Sequence, residues 1–536
     1  MSPNYVIHSI FVEHEGIPAE IRLSRRYRTE LEGRTIAILA SRDYDSLPEE
    51  ERVTSFTTLF GKNGCGKTAL LMELSQTFAE GSKSKPLGVL FEVDGRLHLH
   101  KGRVLKGWEL GPTDEPIRLD MAPPLAQAVF YSSSPFEHAR RVGLRRIGVL
   151  ETSPPFGSER QFDGLALVLN YHHISGDAAS ICGNLNLIAR GRVPRTRTVL
   201  TLVSDLLDRY AYNHESTPVA NAKAAFARWL RDIPKADEQI LLADLIIISD
   251  IQGNQNVVGK LVGDLMRLAN ELKLWAGENQ PWQVLAGLAE TAIVESNFIR
   301  LTGREVVKAL EWFKEVLGAK GHGNAFTVPV SPEHLKMAID QMDALHPGAV
   351  RFLANLGFLE FKLKNLSSGE FAFLYLYAAI GSALEWLQQT HAEGPVWILI
   401  DEGEMFMHPA WQREYVKNIL DFVGRFRRPE LQIHVVISTH SLIVAADAPP
   451  CSLFNAELGR EANGFALGPG ATLSAVYGVE EFTGENTAHM IAELVAFLSN
   501  PRQQTSDRIR KLAAAVADDD LKEYVDRAMR ERLAGN

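Results

Sequence analysis

The sequence predicts an α/β protein whose core opens with an antiparallel N-terminal sheet and is interrupted by a large helical insertion. Three observations predict it. A short apolar strand over 54–60 runs into a glycine-rich turn and then into a helical pattern, ALLMELSQTFA. Strand and helix patterns alternate from 369 to 446. Between these, residues 160–320 lose the strand texture and read as a succession of helices.

The elements follow in order. Strands are expected at 5–12, 19–23 and 35–40, where apolar β-rich residues alternate or run together. Residues 89–92 and 96–101 form a hairpin around Asp94-Gly95. A buried strand over 126–131 ends in a polar loop, 132–137. Helices are expected at 199–212, 220–229, 237–248, 257–275, 283–299 and 304–317. None sustains three heptads, so a long coiled-coil arm is not expected. Strands return at 325–330 and 358–363, followed by helix 369–390, strand 395–400, helix 409–426, strand 431–438 and helix 441–446. The expected division is an N-terminal lobe of the core over 1–155, the insertion over 156–350, a C-terminal lobe over 351–486 and terminal helices over 487–536.

Composition narrows the class. Of 536 residues, 46% are hydrophobic and 23% charged, which are globular proportions and exclude a largely disordered chain. A formal charge of −10 argues against a surface that binds polyanions everywhere, though not against a local basic patch. Cys65, Cys182 and Cys451 are too few and too scattered for a disulfide framework or a zinc site, which fits a reducing cytoplasm. The N-terminus carries acids and histidines where a signal peptide needs a basic start and an apolar run. The longest apolar run, Ile240 to Ile248, is cut by Asp244, so neither a membrane span nor a membrane partner is expected.

Four motifs carry chemistry. Gly61-Lys62-Asn63-Gly64-Cys65-Gly66-Lys67-Thr68 fits G-x-x-x-x-G-K-[ST] between a strand and a helix. The glycines let backbone N–H groups turn inward around phosphate oxygens, and the helix N-terminus adds partial positive charge. Lys67 is placed to reach the β- and γ-phosphates, and Thr68 to hold Mg²⁺. The second motif is Val396-Trp397-Ile398-Leu399-Ile400-Asp401-Glu402, an apolar strand ending in two acids. Asp401 suits the Mg²⁺ shell and Glu402 the polarisation of an attacking water. The third, Leu366-Ser367-Ser368-Gly369-Glu370, is either a second anion-binding helix start or a plain capping box. The fourth, Ser438-Thr439-His440-Ser441, puts His440 at the end of the next strand.

Taken in this order, the motifs resemble the ATP-binding-cassette type of ATPase. Asp401-Glu402-Gly403-Glu404-Met405-Phe406-Met407-His408-Pro409 resembles the DEPExxLHP text of the SMC, RecF and OLD-like branch, with Gly403 where that text has proline and Met407 where it has leucine. Ser438-Thr439-His440-Ser441 matches its STHS. Residues Gly470 to Ser474, Glu481-Phe482 and Gly484-Glu485 resemble the tail of ATPases from bacterial anti-phage operons of the Septu and retron-associated kind.

The resemblance implies ATP and Mg²⁺ as ligands. It places Gly61, Asn63, Gly64, Cys65, Gly66, Lys67 and Thr68 on the nucleotide, Thr68 and Asp401 on the metal, and Glu402 and His440 in catalysis. Ser367, Ser368 and Gly369 would meet ATP bound to a second subunit of a head-to-tail dimer or higher oligomer. It further implies a separate effector from the same operon, most readily a nuclease, with a RecF- or SMC-like role in DNA maintenance as the alternative. The family's glutamine after the strand that follows the P-loop helix has no counterpart in Phe130-Tyr131-Ser132-Ser133-Ser134-Pro135-Phe136. Two arginine clusters, Arg140, Arg141, Arg145, Arg146 and Arg190, Arg192, Arg195, Arg197, suit either a DNA or RNA backbone track or a solvated, ion-paired face. Arg425, Arg427 and Arg428 lie at an expected helix end, where cations favour the dipole.

Overall fold

A computed structural model describes residues 5–41, 53–79, 83–119, 121–133, 143–152, 165, 168–169, 186–194, 199–213, 223–224, 226–228, 231, 233–250, 281–295, 301–320, 323–364, 366–390, 394–428, 431–462, 485–500, 506–516 and 519–534. The chain divides into two compact units, Met1–Asn463 and Gly464–Asn536. Among the described residues, no helix is long and apolar enough to cross a membrane.

The first unit is a mixed α/β structure. Its centre is a seven-stranded sheet in the order Leu150–Glu151, Gln127–Ser132, Gly394–Asp401, Leu431–Thr439, Ser55–Phe60, Leu453–Asn455, Arg460–Ala462. All neighbours are parallel except the last pair. Both faces are covered, so the central strands are apolar throughout rather than alternating with polar residues. On one face Trp397, Leu399, Val436 and Phe130 pack with Leu71, Leu74 and Phe78 of the helix Lys67–Phe78. On the other, Ile398, Ile400, Val435 and Ile437 pack with Phe373, Tyr377 and Ile380 of the helix Ser368–Gln389 and with Ile419 and Phe422 of the helix Tyr415–Gly424. Adjacent residues of one strand thus serve opposite layers, as the two-residue period requires.

The N-terminal strands form two smaller sheets. One, ordered Ile17–Arg22, Tyr5–His14, Gly88–Val93, Arg96–His100, Ile117–Leu119, is antiparallel apart from its last pair and contains the expected hairpin, with Val93 opposite Arg96. The other joins Tyr27–Glu32, Thr35–Ala40 and Glu109–Thr113.

The insertion has its own apolar core, built from the helices Val199–Asn213, Lys235–Asp250, Pro281–Glu295, Gly303–Val316, Pro332–Leu345 and Ala349–Asn355. It is not wholly helical. Asn186–Gly191 is a strand, paired antiparallel to both Phe326–Val330 and Leu359–Lys364. The sequence pattern, mainly helical here, predicts no strand at this position: a strand of six residues with two small ones, Ala189 and Gly191, carries little sequence pattern, and its partners lie more than a hundred residues downstream. The expected helix over 409–426 is two, Pro409–Gln412 and Tyr415–Gly424. The expected helix over 257–275 lies outside the described residues.

The second unit holds the helices Glu485–Ser499, Asp507–Ala514 and Asp519–Ala534 around Leu494, Phe497, Ile509, Ala513 and Val525. Ser506 caps its middle helix by accepting from the Ile509 N–H at 3.2 Å.

Candidate functional site

Four adjacent parallel strands end nearly level, and that alignment assembles the site. Ser132 lies opposite Asp401, and Asp401 opposite Ser438; Thr439 lies opposite Phe60, the last strand residue before the glycine-rich loop. Parallel pairing puts the loops that follow these strands on the same edge of the sheet, the usual place for a ligand in an open α/β sheet.

The loop from Gly61 turns through Gly64 and Gly66, with φ of 83° and 93°, conformations that exclude most side chains. Gly66 is the N-cap of the helix Lys67–Phe78, and no side chain caps that end. Its first N–H groups and dipole are therefore directed at whatever lies in the loop. Lys67 is buried, and its ammonium folds back to donate to the carbonyls of Gly61 at 3.0 Å and Lys62 at 3.2 Å. Burial holds this ammonium below the usual lysine value, opposed by the charges of Cys65, Glu402, Asp401 and Glu404.

Asp401 is fully buried and is held by three hydroxyls. Thr68 Oγ1 donates to its two carboxylate oxygens at 3.1 and 3.0 Å, Ser132 Oγ at 3.0 Å and Ser438 Oγ at 2.6 Å. Burial pushes the carboxyl up, and these hydrogen bonds oppose the shift. A buried carboxylate beside a threonine hydroxyl is a set of hard oxygen donors, the kind Mg²⁺ takes together with phosphate and water.

Glu402 sits at φ 50°, the left-handed region that glutamate seldom occupies, and its N–H is shared between the carbonyl and the hydroxyl of Ser438, each at 3.2 Å. Its Oε1 lies 2.9 Å from His440 Nε2. The hydrogen bond from His440 holds the Glu402 carboxyl below the usual range. The same Nε2 lies 2.8 Å from Lys67 Nζ. A single ring nitrogen either accepts from an ammonium or donates to a carboxylate, so Lys67 and Glu402 compete for one position.

The site therefore brings together Lys67, Thr68, Asp401, Glu402 and His440, all named from the sequence. Sequence reasoning missed Ser132, Ser438 and Glu404. Ser132 closes its strand and Ser438 is the next-to-last residue of its own, both level with Asp401, and the signal was that shared register. Gly403 has its reason as well. A Cβ there would run into the Tyr415 hydroxyl and stand 2.7 Å from Ile400 Cγ2, so the proline of the DEPE text does not fit.

The other named residues lie elsewhere. Ser367 and Glu370 form the capping box: Ser367 Oγ accepts from the Glu370 N–H at 3.2 Å, and Glu370 Oε2 from the Ser367 N–H at 2.8 Å. Ser367 and Ser368 are exposed, and a Cβ on Gly369 would stand 2.8 Å from the Phe406 carbonyl oxygen. Arg145 is ion-paired with Glu151 at 2.6 Å and Arg190 with Glu360 at 3.9 Å, while Arg146 is exposed and Arg192 half-buried. Arg140, Arg141, Arg195 and Arg197 lie outside the described residues. Arg425, Arg427 and Arg428 are exposed, at and just after the end of the helix Tyr415–Gly424.

No family model matches the chain, and no curated protein matches it. Among solved structures it is similar to the recombination mediator protein RecF with ATP, of the RecFOR pathway, at 9% identity, with 82% of this chain and 94% of that chain covered. The TM-score of 0.20 is too low to carry an inference about fold or function.

Proposed function

We propose that this chain is an ATP-binding-cassette-type ATPase of the SMC, RecF and OLD-like branch, which binds ATP with Mg²⁺ and hydrolyses it slowly. The observation that supports this best is the meeting of Lys67, Thr68, Asp401, Glu402 and His440 at aligned strand ends, from segments far apart in sequence. Loop N–H groups and Lys67 hold the phosphates, and Lys67 leaves its loop carbonyls to do so. Thr68 and Asp401 hold Mg²⁺, which when bound supplies positive charge beside the transferred phosphoryl group. Glu402, kept ionised by His440, takes a proton from the attacking water.

Lys67→Ala should weaken equilibrium ATP binding by roughly 10–100-fold, the worth of a charge-assisted contact. Glu402→Gln should keep binding and lower single-turnover hydrolysis by about 10²–10⁴-fold. Full turnover in the glutamine variant overturns the assignment of Glu402.

The wider role follows from the motif text. The ATPase acts as a nucleotide-driven switch in a head-to-tail dimer in the cytoplasm, with Ser367, Ser368 and Gly369 completing the neighbour's site. It regulates a nuclease effector encoded beside it in an anti-phage operon. Ser368→Arg should bind ATP without hydrolysing it and regain part of its rate when mixed with Lys67→Ala protein, because one composite site is rebuilt. Failure of every exchanging mixture rules out the shared site. Purification of the native complex, with mass spectrometry of what stays bound, tests the effector; a nucleic-acid track through Arg140, Arg141, Arg145 and Arg146 requires binding that falls steeply with salt.

A further inference from the structure

Glu404 lies two residues beyond Glu402 and faces the opposite way, into the protein. Its carboxyl is buried, and burial pushes it above the usual glutamate value. Thr439 Oγ1 donates to its Oε1, and the backbone N–H of His440 also donates to this carboxyl. The Thr439 oxygen in turn accepts from the Ser441 N–H at 2.9 Å, and Ser441 Oγ donates to Gln412 Oε1 at 2.7 Å while accepting from the Val444 N–H at 3.3 Å. Thr439, His440 and Ser441 are thus each fixed by a group reached through Glu404 or its partners. Oε2 of Glu404 and the hydroxyl of Tyr415 are buried without a hydrogen-bond partner among the described residues. An acid buried at that expense needs a compensating role.

We infer that Glu404 is a positioning residue: it clamps the backbone at Thr439-His440 to the turn that carries Glu402, and so sets the distance from His440 Nε2 to Glu402 and Lys67. The inference rests on the ATPase reading above. The geometry supports it through one rigid link. Glu402 and Glu404 share a tight turn, closed by the Met405 N–H donating to the Glu402 carbonyl at 3.1 Å, and the clamp joins that turn to the next strand. Loss of the clamp frees His440 from Glu402 and from Lys67 Nζ, but leaves Thr68 and Asp401 in place and Lys67 held by the Gly61 and Lys62 carbonyls. Nucleotide binding should therefore survive while hydrolysis falls.

The test compares Glu404→Ala, Glu404→Gln and Thr439→Val in the full chain. Thr439→Val removes a single hydroxyl and guards against misfolding of the alanine variant. ATP binding should stay within about threefold of wild type, and single-turnover hydrolysis should fall roughly 10–100-fold in Glu404→Ala, the range for lost outer supports of a site. Glu404→Gln keeps an oxygen for Thr439 and should fall between the two. Independently of turnover, the ¹⁵N-histidine spectrum should show the His440 ring signal, identified by its loss in His440→Gln, shifted in Glu404→Ala and Thr439→Val. Wild-type rate and ring signal in both variants overturn the inference while leaving the ATPase reading intact. Absence of ATP binding and turnover in the wild type overturns that reading instead, and the ring signal then still reports whether the clamp exists.

Discussion

In the parallel sheet Lys67, Asp401, Glu404, Ser132, Ser438 and Thr439 are all buried at or just beyond the strand ends. In the insertion, among the described residues, the buried polar side chains are Asp244, Ser249 and Asn324, spread over separate elements. Both regions have dense apolar cores, so the difference does not come from packing. It lies in what the buried polar groups hold. Asp244 accepts one N–H, that of Gly303 at 2.5 Å, and thereby fixes the start of the helix Gly303–Val316. The groups at the strand ends hold one another, a lysine, a histidine and three carboxylates close together. Buried charge is costly in either place. A cluster of it marks chemistry, and a single instance marks a structural joint.

The largest effect that can break this comparison is a swap of readouts. Glu402→Gln should lose hydrolysis by the factor given above with little change in stability. Phe313→Ala, in the insertion core, should cost about 3–5 kcal/mol in denaturant unfolding and leave turnover per folded molecule unaltered. A turnover defect in Phe313→Ala beyond its folded fraction would falsify the separation of the two regions.

The next effect sharpens the comparison through pH. Burial pushes Asp244 up to about 7, from 3.8 in the exposed group. The folded insertion keeps that proton where the unfolded chain releases it, so its stability falls as pH rises from about 4 to 7, by on the order of 4 kcal/mol. In the sheet, burial pushes His434 down to about 3 from 6.5, with Nδ1 2.8 Å from Ser55 Oγ and the ring stacked on Trp397 at 4.6 Å. Its contribution is present above about 6.5 and is lost as pH falls toward 3. Acid should therefore tighten the insertion, while in the sheet protonation of His434 is opposed by the buried Asp401 and Glu404 carboxyls, which burial also pushes up. Hydrogen exchange resolved by segment at pH 5 and pH 7 checks that the insertion gains protection in acid, and Asp244→Asn should flatten that response.

The smallest effect concerns Gly403. Gly403→Ala should destabilise by about 1–3 kcal/mol through its clash with the Tyr415 hydroxyl. Tyr415→Phe should recover part of that loss, because it removes the atom in the way. A double-mutant cycle with no coupling between the two positions rejects the steric account.

Legibility followed the same divide. The loop Gly61–Thr68, Asp401, Glu402 and His440 were readable because each is spelled out locally, by a motif or by an apolar strand with a polar end. Ser132 was not, because a serine after a strand means little until its register with Asp401 is known. Glu404 lay inside a recognised stretch of text, yet only its burial and its contact with Thr439 show that it faces inward. In the insertion, helix periodicity carried most elements. The strand Asn186–Gly191 is defined by partners at 326–330 and 359–364, which no local window contains. The strands Leu453–Asn455 and Arg460–Ala462 escaped because three residues hold no period.

The strand order also sets a timetable for synthesis. Ser55–Phe60 is flanked by Leu431–Thr439 and Leu453–Asn455, and Lys67 meets a histidine 373 positions further on. At roughly 5–20 residues per second, on the order of 20–80 s pass on the ribosome before either neighbour of that strand exists. Through that interval an apolar strand with two open edges, FTTLF at its centre, must be kept from pairing with other chains. The insertion, complete by about residue 364, can close its own core first. The nascent chain is therefore expected to depend on a holdase, and to aggregate from its N-terminal third when one is missing.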